Sequence, residues 1–387
     1  MKLRVANGGI LVGRTVFGAA TIDVADGRIA AIDPAITGSP HIDLDGGWLV
    51  PGFIDTQVNG GGGVLFNDDI SVEGIAAIGA AHARFGTTAF LPTLISDSPE
   101  HIAAALDATD AAIEAGVPGV AGVHIEGPFI NPAKRGIHEA DRIRQLDPAL
   151  IELLSRPRIG RVVLTIAPER VGLAHIRALV SHGVIVCAGH TNATYDEVNA
   201  AIDAGLTGFT HLFNAMSPLT HRAPGAAGAA LDAPGCWAGL IVDNAHLHPA
   251  TVRIAIAAKG PDRIMLVTDA MPSVGTDASS FVLQGKRIEV HHGVCTYEDG
   301  TLAGSDLDMA TAFRNTVEIT GLAPADVVRM SSEAPAAFLG LSATHGTLGK
   351  GKRADWVVLD RDLRPRGTWI GGEHQAGTVK GIAAANA

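Results

Sequence analysis

The sequence predicts an α/β fold in which a TIM-like (β/α)8 barrel carries a small β-sandwich domain built from both ends of the chain. Short apolar runs separated by glycine and aspartate turns fill residues 1–50, as is typical of β-sheet sequence. The middle of the chain then alternates strand-like runs with helical segments, which is the pattern of parallel βα units. Strand-like sequence returns at 354–360. We therefore expect a β domain over 1–50 and 345–387, and a barrel over 51–344.

Eight strand candidates define the predicted barrel. They lie at 49–57, 88–92, 122–126, 161–167, 184–190, 208–212, 239–243 and 264–269. Several are continuous apolar runs, as expected of parallel strands covered on both faces. Helix starts are marked by Ser98 followed by Pro99 and by a capping box from Thr194 to Glu197. An open doubly wound sheet is the alternative, but no Gly-x-Gly-x-x-Gly follows the first strand.

Composition excludes several classes of partner. The 387 residues carry a formal net charge of −11 and no lysine or arginine run, so we expect no binding to nucleic acid or to an anionic membrane. Three cysteines, Cys187, Cys236 and Cys295, are too few and too scattered for a disulfide framework. The chain shows no apolar signal region and no run of 18 apolar residues, which predicts a cytoplasmic protein.

Four strand candidates end in a side chain that can bind a metal or transfer a proton. These are Glu126, His190, His211 and Asp269. The carboxyl ends of barrel strands meet at one face, where such folds keep their chemistry. Two histidines and a glutamate are three of the four ligands of a catalytic zinc, and the fourth position is left for water. The pattern predicts one divalent ion at Glu126, His190 and His211, with Asp269 moving the proton of that water. Zinc is favoured, although Fe²⁺, Mn²⁺ and Co²⁺ accept the same ligands.

The alternative is a purely structural role, in which these four residues only form hydrogen bonds with the backbone at strand ends. Longer motifs argue against it. They read WLVPGFIDTQVNG at 48–60, GVHIEGPF at 122–129, GHT at 189–191, THLFNAM at 210–216, LAGS at 302–305 and GKGKRADWVVL at 349–359. Together these segments resemble the amidohydrolase superfamily, and over nearly the whole chain they resemble its N-acetylglucosamine-6-phosphate deacetylase family.

The resemblance implies hydrolysis of the acetamide of a small phosphorylated amino sugar, N-acetylglucosamine 6-phosphate. It places the metal on the same three ligands and makes Asp269 first the general base and then the general acid. It also implies a homodimer in which Arg222 reaches the phosphate in the neighbouring active site. His138 would contact the substrate carbonyl. The substrate-binding residues implied or proposed are Ile137, His138, Asn214, Ala215, Arg222, His246, Leu302, Ala303 and Gly304.

One departure from the superfamily pattern concerns the number of metals. Many amidohydrolases carry His-x-His on the first barrel strand, and here those positions are Gln57 and Asn59. Neutral amides are poor ligands for a transition metal, so we predict a mononuclear site. A dihydroorotase or hydantoinase is a rival, but these use the His-x-His and a bridging carboxylated lysine where this chain has Glu126. A sugar-phosphate sensor without turnover is another rival, although binding alone would not need Asp269.

Overall fold

Eight parallel strands follow one another around a barrel in chain order in the computed structural model, which describes residues 1–378. Their bounds are Phe53–Val58, Thr87–Ile95, Gly122–Glu126, Arg161–Ile166, Ile185–Ala188, Gly208–Phe209, Trp237–Leu240 and Ile264–Leu266. A parallel bridge between Val58 and Ala270 brings the ends of the first and last strands together. All eight predicted strands are present, and the predicted (β/α)8 fold class is confirmed.

Helices cover the outside of the barrel. The α-helices are Val72–Ala83, Pro99–Glu114, Pro148–Leu154, Leu173–Ser181, Tyr195–Asp203, Gly225–Asp232, Pro249–Lys259, Met309–Thr320, Pro324–Val328 and Ala334–Phe338. Short 3-10 turns occupy Pro132–Lys134, Ala140–Arg142 and Pro168–Arg170, and a π turn occupies Arg329–Glu333. Both predicted starts are confirmed: Ser98 caps the second helix, and Thr194 and Glu197 form a reciprocal capping box. Among the described residues, none of the helices is both long and apolar enough to cross a bilayer.

The first predicted strand, 49–57, is divided between two sheets. Trp48–Pro51 pairs with strands of the small domain, whereas Phe53–Val58 is the first barrel strand. The backbone changes partner at Gly52, whose N–H donates to the Asp355 carbonyl, while the next N–H donates to Gly86. A Cβ on Gly52 would lie 2.1 Å from Thr88 Oγ1, so only glycine lets the chain pass here. One apolar run therefore serves both domains.

A second sheet draws its strands from both ends of the described chain. They are Lys2–Val12, Thr15–Ala25, Arg28–Asp33, Ile42–Asp43, Trp48–Pro51, Trp356–Leu359, Pro365–Ile370 and Glu373–Gly377. This sheet has its own apolar cluster, which includes Ile22, Leu49 and Trp356. The domain bounds 1–50 and 345–387 stay a prediction, and their last part, 379–387, lies outside the described residues.

A four-stranded antiparallel sheet lies between the last barrel strand and the helix at Met309–Thr320. It was not predicted from the sequence. Its strands are Ser280–Leu283, Lys286–His291, Val294–Thr296 and Leu302–Ser305. Its apolar face packs on Met271 and Ile137 beside the barrel mouth. Lys286 forms an ion pair with Glu139 at 2.6 Å, which ties this sheet to the loop after the third barrel strand.

Candidate active site

A cavity of about 360 Å³ opens at the carboxyl ends of the barrel strands. That volume suits a small ligand. Its lining includes these predicted residues: Glu126, Ile137, His138, His190, His211, Asn214, Ala215, His246, Asp269, Leu302 and Gly304. Ala303 is fully buried between its two lining neighbours. Arg222 is not part of this cavity, and the structure brings the other predicted residues to one place.

The three predicted ligands converge on a single point. His211 Nε2 lies 3.0 Å from both Glu126 Oε1 and His190 Nε2, and His190 Nε2 lies 3.3 Å from Glu126 Oε1. Ligands about 2.1 Å from a tetrahedral metal are separated from each other by about 3.4 Å. The observed triangle is therefore close to that of a ligand set, and all three side chains are buried.

The charges of this triangle fit a cation. Burial favours a raised pKa for Glu126, but hydrogen bonds and charge from His190 and His211 hold the pKa well below its usual range. For His211, burial acts to lower the pKa, yet the bond to Glu126 and its charge raise it overall. A carboxylate beside two imidazoles is a donor set that a divalent metal can bind, because metal binding requires deprotonated ligands.

Three of the four residues predicted to bind the metal or transfer a proton adopt a backbone conformation that L-residues rarely use. The φ angles are 48° at His190, 33° at His211 and 54° at Asp269. A positive φ at a non-glycine residue costs on the order of 1–3 kcal/mol, and residues strained in this way tend to cluster at functional sites. Each of these residues follows the end of a barrel strand, so the strain turns its side chain towards the common cavity.

Asp269 lies against the triad of Glu126, His190 and His211 and is held by two amides at the end of the first barrel strand. Its Oδ1 accepts hydrogen bonds from Gln57 Nε2 at 3.0 Å and from Asn59 Nδ2 at 2.6 Å. Because both amides bind Oδ1, Oδ2 is left to meet a water or substrate in the cavity. Burial raises the pKa of Asp269 to about 6, and the charge of Glu126 adds to this shift. A carboxyl group with such a pKa is suited to accept and return a proton.

Gln57 and Asn59 present donors where a second metal would need lone pairs. Gln57 Nε2 also donates to Glu126 Oε1 at 3.1 Å, so one amide bridges the proposed ligand and the proposed base. The arrangement favours the mononuclear site, which stays a prediction.

His138 lies beside the triad but with different partners. Its ring centroid is 4.4 Å from that of His190. Its Nδ1 lies 2.7 Å from Ser96 Oγ and accepts from the Ser96 N–H at 3.3 Å. Burial lowers the pKa of His138 to about 3, so the ring is neutral. The ring is thus positioned to contact a substrate atom next to the metal position.

His246 also lines the cavity and is oriented by a carboxylate. Its Nδ1 lies 2.6 Å from Asp243 Oδ2, and Asp243 Oδ1 accepts the backbone N–H of His246 at 2.8 Å. The backbone N–H of Asn214 donates to the carbonyl of His211. Of the two loop residues Asn214 and Ala215, Ala215 is therefore the one whose N–H suits an anion.

Arg222 is exposed and lines a separate groove together with Tyr195 and Ser217. Within a single chain it therefore does not meet the proposed metal ligands.

Sequence reasoning missed several wall residues. Lys134, Ile95, Ile241 and Met271 line the cavity, and the carbonyl of Lys134 accepts from His190 Nδ1 at 2.8 Å. Ile95 ends a barrel strand and Ile241 follows one, so the strand-end rule could have found both. Lys134 ends a short 3-10 turn and Met271 lies in a loop, where local sequence carries no such signal.

The barrel, the triad and the adjoining carboxylate together define a metal-dependent hydrolase of the (β/α)8 type. Comparison with known families is consistent with this class, since the model of the amidohydrolase family matches residues 48–383. The chain belongs to the amidohydrolase family, which implies a divalent metal.

Individual relatives narrow the comparison. The chain is 42% identical to an N-acetylgalactosamine-6-phosphate deacetylase of Shewanella sp. (strain ANA-3), over 91% of this chain and 90% of the relative. It is 36% identical to an N-acetylglucosamine-6-phosphate deacetylase of Haemophilus influenzae, over 87% and 89% of the two chains. The crystal structure of the N-acetylglucosamine-6-phosphate deacetylase of Pasteurella multocida superposes on this chain with a TM-score of 0.93 at 34% identity. The superposition covers 97% of this chain and 100% of that one.

Proposed function

We propose that the chain hydrolyses the acetamide of N-acetylglucosamine 6-phosphate to glucosamine 6-phosphate and acetate. The observation that carries this proposal is the triangle of Glu126, His190 and His211, which lies within hydrogen-bonding distance of the Gln57 amide that holds Asp269. The deacetylases to which the chain is similar support the choice of an N-acetylated sugar phosphate.

The residues divide the reaction between them. Glu126, His190 and His211 would hold one divalent ion, with zinc as the first candidate. Such an ion supplies Lewis acidity and lowers the pKa of a coordinated water towards about 7. Asp269 takes the proton from the attacking water and returns it to the leaving amine. His138 donates a hydrogen bond to the carbonyl oxygen as negative charge develops there.

Phosphate binding is assigned to the opposite end of the cavity. His246 and the Ala215 N–H would contact the phosphate from the same chain, with Ile137, Asn214, Leu302, Ala303 and Gly304 shaping the sugar pocket. Arg222 lines a different groove in its own chain, so its role requires a second copy. We therefore propose a homodimer in which each Arg222 completes the neighbouring site.

The galactosamine epimer is the second candidate substrate. The relative at 42% identity is an N-acetylgalactosamine-6-phosphate deacetylase, and the two sugars differ only in the configuration of one hydroxyl group. Both share the acetamide and the phosphate on which the proposed chemistry depends. The ratio of kcat/KM for the two sugars decides which substrate the pocket favours.

Acetate release from N-acetylglucosamine 6-phosphate by zinc-loaded protein tests the main proposal. We expect turnover that is lost on chelation and restored by added zinc, with much weaker activity on unphosphorylated N-acetylglucosamine. Turnover that survives removal of all metal would contradict the metal mechanism. Turnover of neither sugar phosphate by metal-loaded protein would contradict the proposed function.

A further inference from the structure

His138 and His190 are neighbouring rings for which distance alone does not assign a role. Ligating atoms of Glu126, His138 and His190 all lie within 4.8 Å of one another, so His138 could by distance bind the metal as well. The tighter triangle with His211, at 3.0–3.3 Å, argues for the other set. The partners of each ring provide an independent criterion, because a neutral imidazole carries one proton and one lone pair.

The partner of His190 marks it as a ligand. Its Nδ1 lies 2.8 Å from the carbonyl oxygen of Lys134. A carbonyl oxygen only accepts, so the proton must be on Nδ1, and the lone pair is on Nε2. That Nε2 faces Glu126 and His211. This is how proteins usually orient a metal-binding histidine.

The partners of His138 specify the opposite tautomer. The Ser96 N–H can only donate, and it meets His138 Nδ1 at 3.3 Å. The Ser96 hydroxyl lies 2.7 Å from the same nitrogen and can donate to it too. The lone pair of His138 is therefore on Nδ1, and the proton is on Nε2, which is the nitrogen left to face the cavity.

Ser96 is itself rigidly held. It directly follows the barrel strand Thr87–Ile95 and is 1% exposed. Its carbonyl accepts from Gln284 Nε2 at 3.1 Å, which connects it to the sheet at 280–305. A Cβ on Gly127 would lie 2.3 Å from Ser96 Oγ, so the hydroxyl packs against a position where a side chain would not fit. The loop that carries His138 is also bound to the residue after Ser96, because Arg142 donates to Asp97 at 3.0 Å.

We propose that Ser96 is a positioning residue that holds His138 in the Nε2–H tautomer, which makes His138 a donor to the substrate carbonyl and not a metal ligand. The catalytic consequence of this proposal rests on the proposed deacetylase function. The position of the proton on His138 does not depend on that function. The two neighbouring imidazoles thus take opposite roles because one faces a carbonyl and the other faces two donors.

Kinetics of the zinc-loaded enzyme test the catalytic part. Ser96→Ala removes the shorter of the two contacts to Nδ1 and keeps the backbone N–H, so we expect kcat to fall by about 10-fold, the low end of the range for a partner that orients a functional histidine, with KM and zinc content unchanged. Ser332→Ala is the matched control, because it removes another buried serine hydroxyl far from the cavity and should leave kcat unchanged. In a His138→Gln background, Ser96→Ala should have almost no further effect on kcat.

Two results would overturn the assignment. If Ser96→Ala lowers kcat equally in both backgrounds, it does not act through His138. If His138→Gln loses zinc, His138 is a ligand.

Nitrogen-15 NMR of histidine-labelled, zinc-loaded protein tests the proton position without turnover. We expect the proton of His138 on Nε2 and that of His190 on Nδ1, with the signals assigned by their loss in His138→Gln and by elimination. A proton on Nδ1 of His138 would refute the proposal even in an active deacetylase. An inactive wild-type protein with the expected tautomers would refute only the function.

Discussion

At the metal end of the cavity, Glu126, His190 and His211 lie within hydrogen-bonding distance of one another in a single chain. At the proposed phosphate end, His246 is oriented by Asp243, but Arg222 is exposed on a separate groove. The first region is buried, strained and internally bonded, as expected where groups must be preorganised for reaction. In the dimer that we propose, the second receives its arginine from another copy, so recognition depends on assembly while the chemistry does not.

Asp269→Asn is the substitution with the largest expected effect, and it affects only the metal end. The amide cannot take the proton from water, so kcat should fall by about 10²- to 10⁴-fold. Zinc content should stay at the wild-type value, because Asp269 is not one of the three proposed ligands. Acetate release and zinc per subunit are the measurements. A kcat within a few-fold of wild type would remove Asp269 from the mechanism.

The metal end was also the more predictable of the two regions. Glu126, His190, His211 and Asp269 each end or follow an apolar run, so a strand pattern and one rule about barrel strands located them. The hydrogen bonds that hold these residues in place join positions up to 212 apart, such as Gln57 and Asp269, and no local pattern encodes such contacts.

Loops and inserted sheets were the least predictable parts. The pairing of Ser96 with His138 depends on where a loop returns, and the sheet at 280–305 lies between two barrel elements without a periodic signal of its own. The division of 49–57 was missed because a continuous apolar run suits either sheet. Arg222 came from resemblance alone, since an exposed loop arginine carries no structural pattern.

Arg222→Ala should affect the phosphate end and leave the metal end intact. We expect KM for the phosphorylated sugar to rise by about 10- to 100-fold, since a charged hydrogen bond contributes about 1.5–3 kcal/mol. Activity on the unphosphorylated sugar and zinc content should not change. Arg156→Ala is a control for loss of an exposed arginine, because the Arg156 side chain only pairs with Glu152 on the surface, at 3.9 Å. Equal effects of Arg222→Ala on both sugars would contradict a phosphate role.

A mixed dimer sharpens the same comparison. Co-expressed subunits carrying Arg222→Ala or Asp269→Asn, with different tags, allow heterodimers to be purified. In such a dimer one site has Asp269 and receives Arg222 from its partner, so about half of the wild-type activity should return. Activity no higher than that of the Arg222→Ala homodimer would mean that the arginine does not act across an interface.

The pH dependence of the rate tests the raised pKa of Asp269, the proposed general base. Burial and Glu126 raise the pKa of Asp269 to about 6, and the active form is the carboxylate. The rate should therefore rise with pH, tenfold per unit below the pKa, and level off above it. A bound cation favours the carboxylate, so the midpoint of kcat/KM should lie at or below about pH 6. Zinc content at each pH separates titration from metal loss, and a midpoint above pH 7 would contradict the assignment.

Replacing Gln57 and Asn59 by histidine should change the metal content of the site. Glu126 Oε1 and Asp269 Oδ1 already converge on the Gln57 amide, so imidazole lone pairs there would complete a second cation site. We expect about one zinc per wild-type subunit and about two in Gln57→His/Asn59→His. Gln57→Ala/Asn59→Ala removes the amides without supplying ligands and should stay near one. Two zinc ions in the wild type would show that neutral amides do not keep the metal end mononuclear.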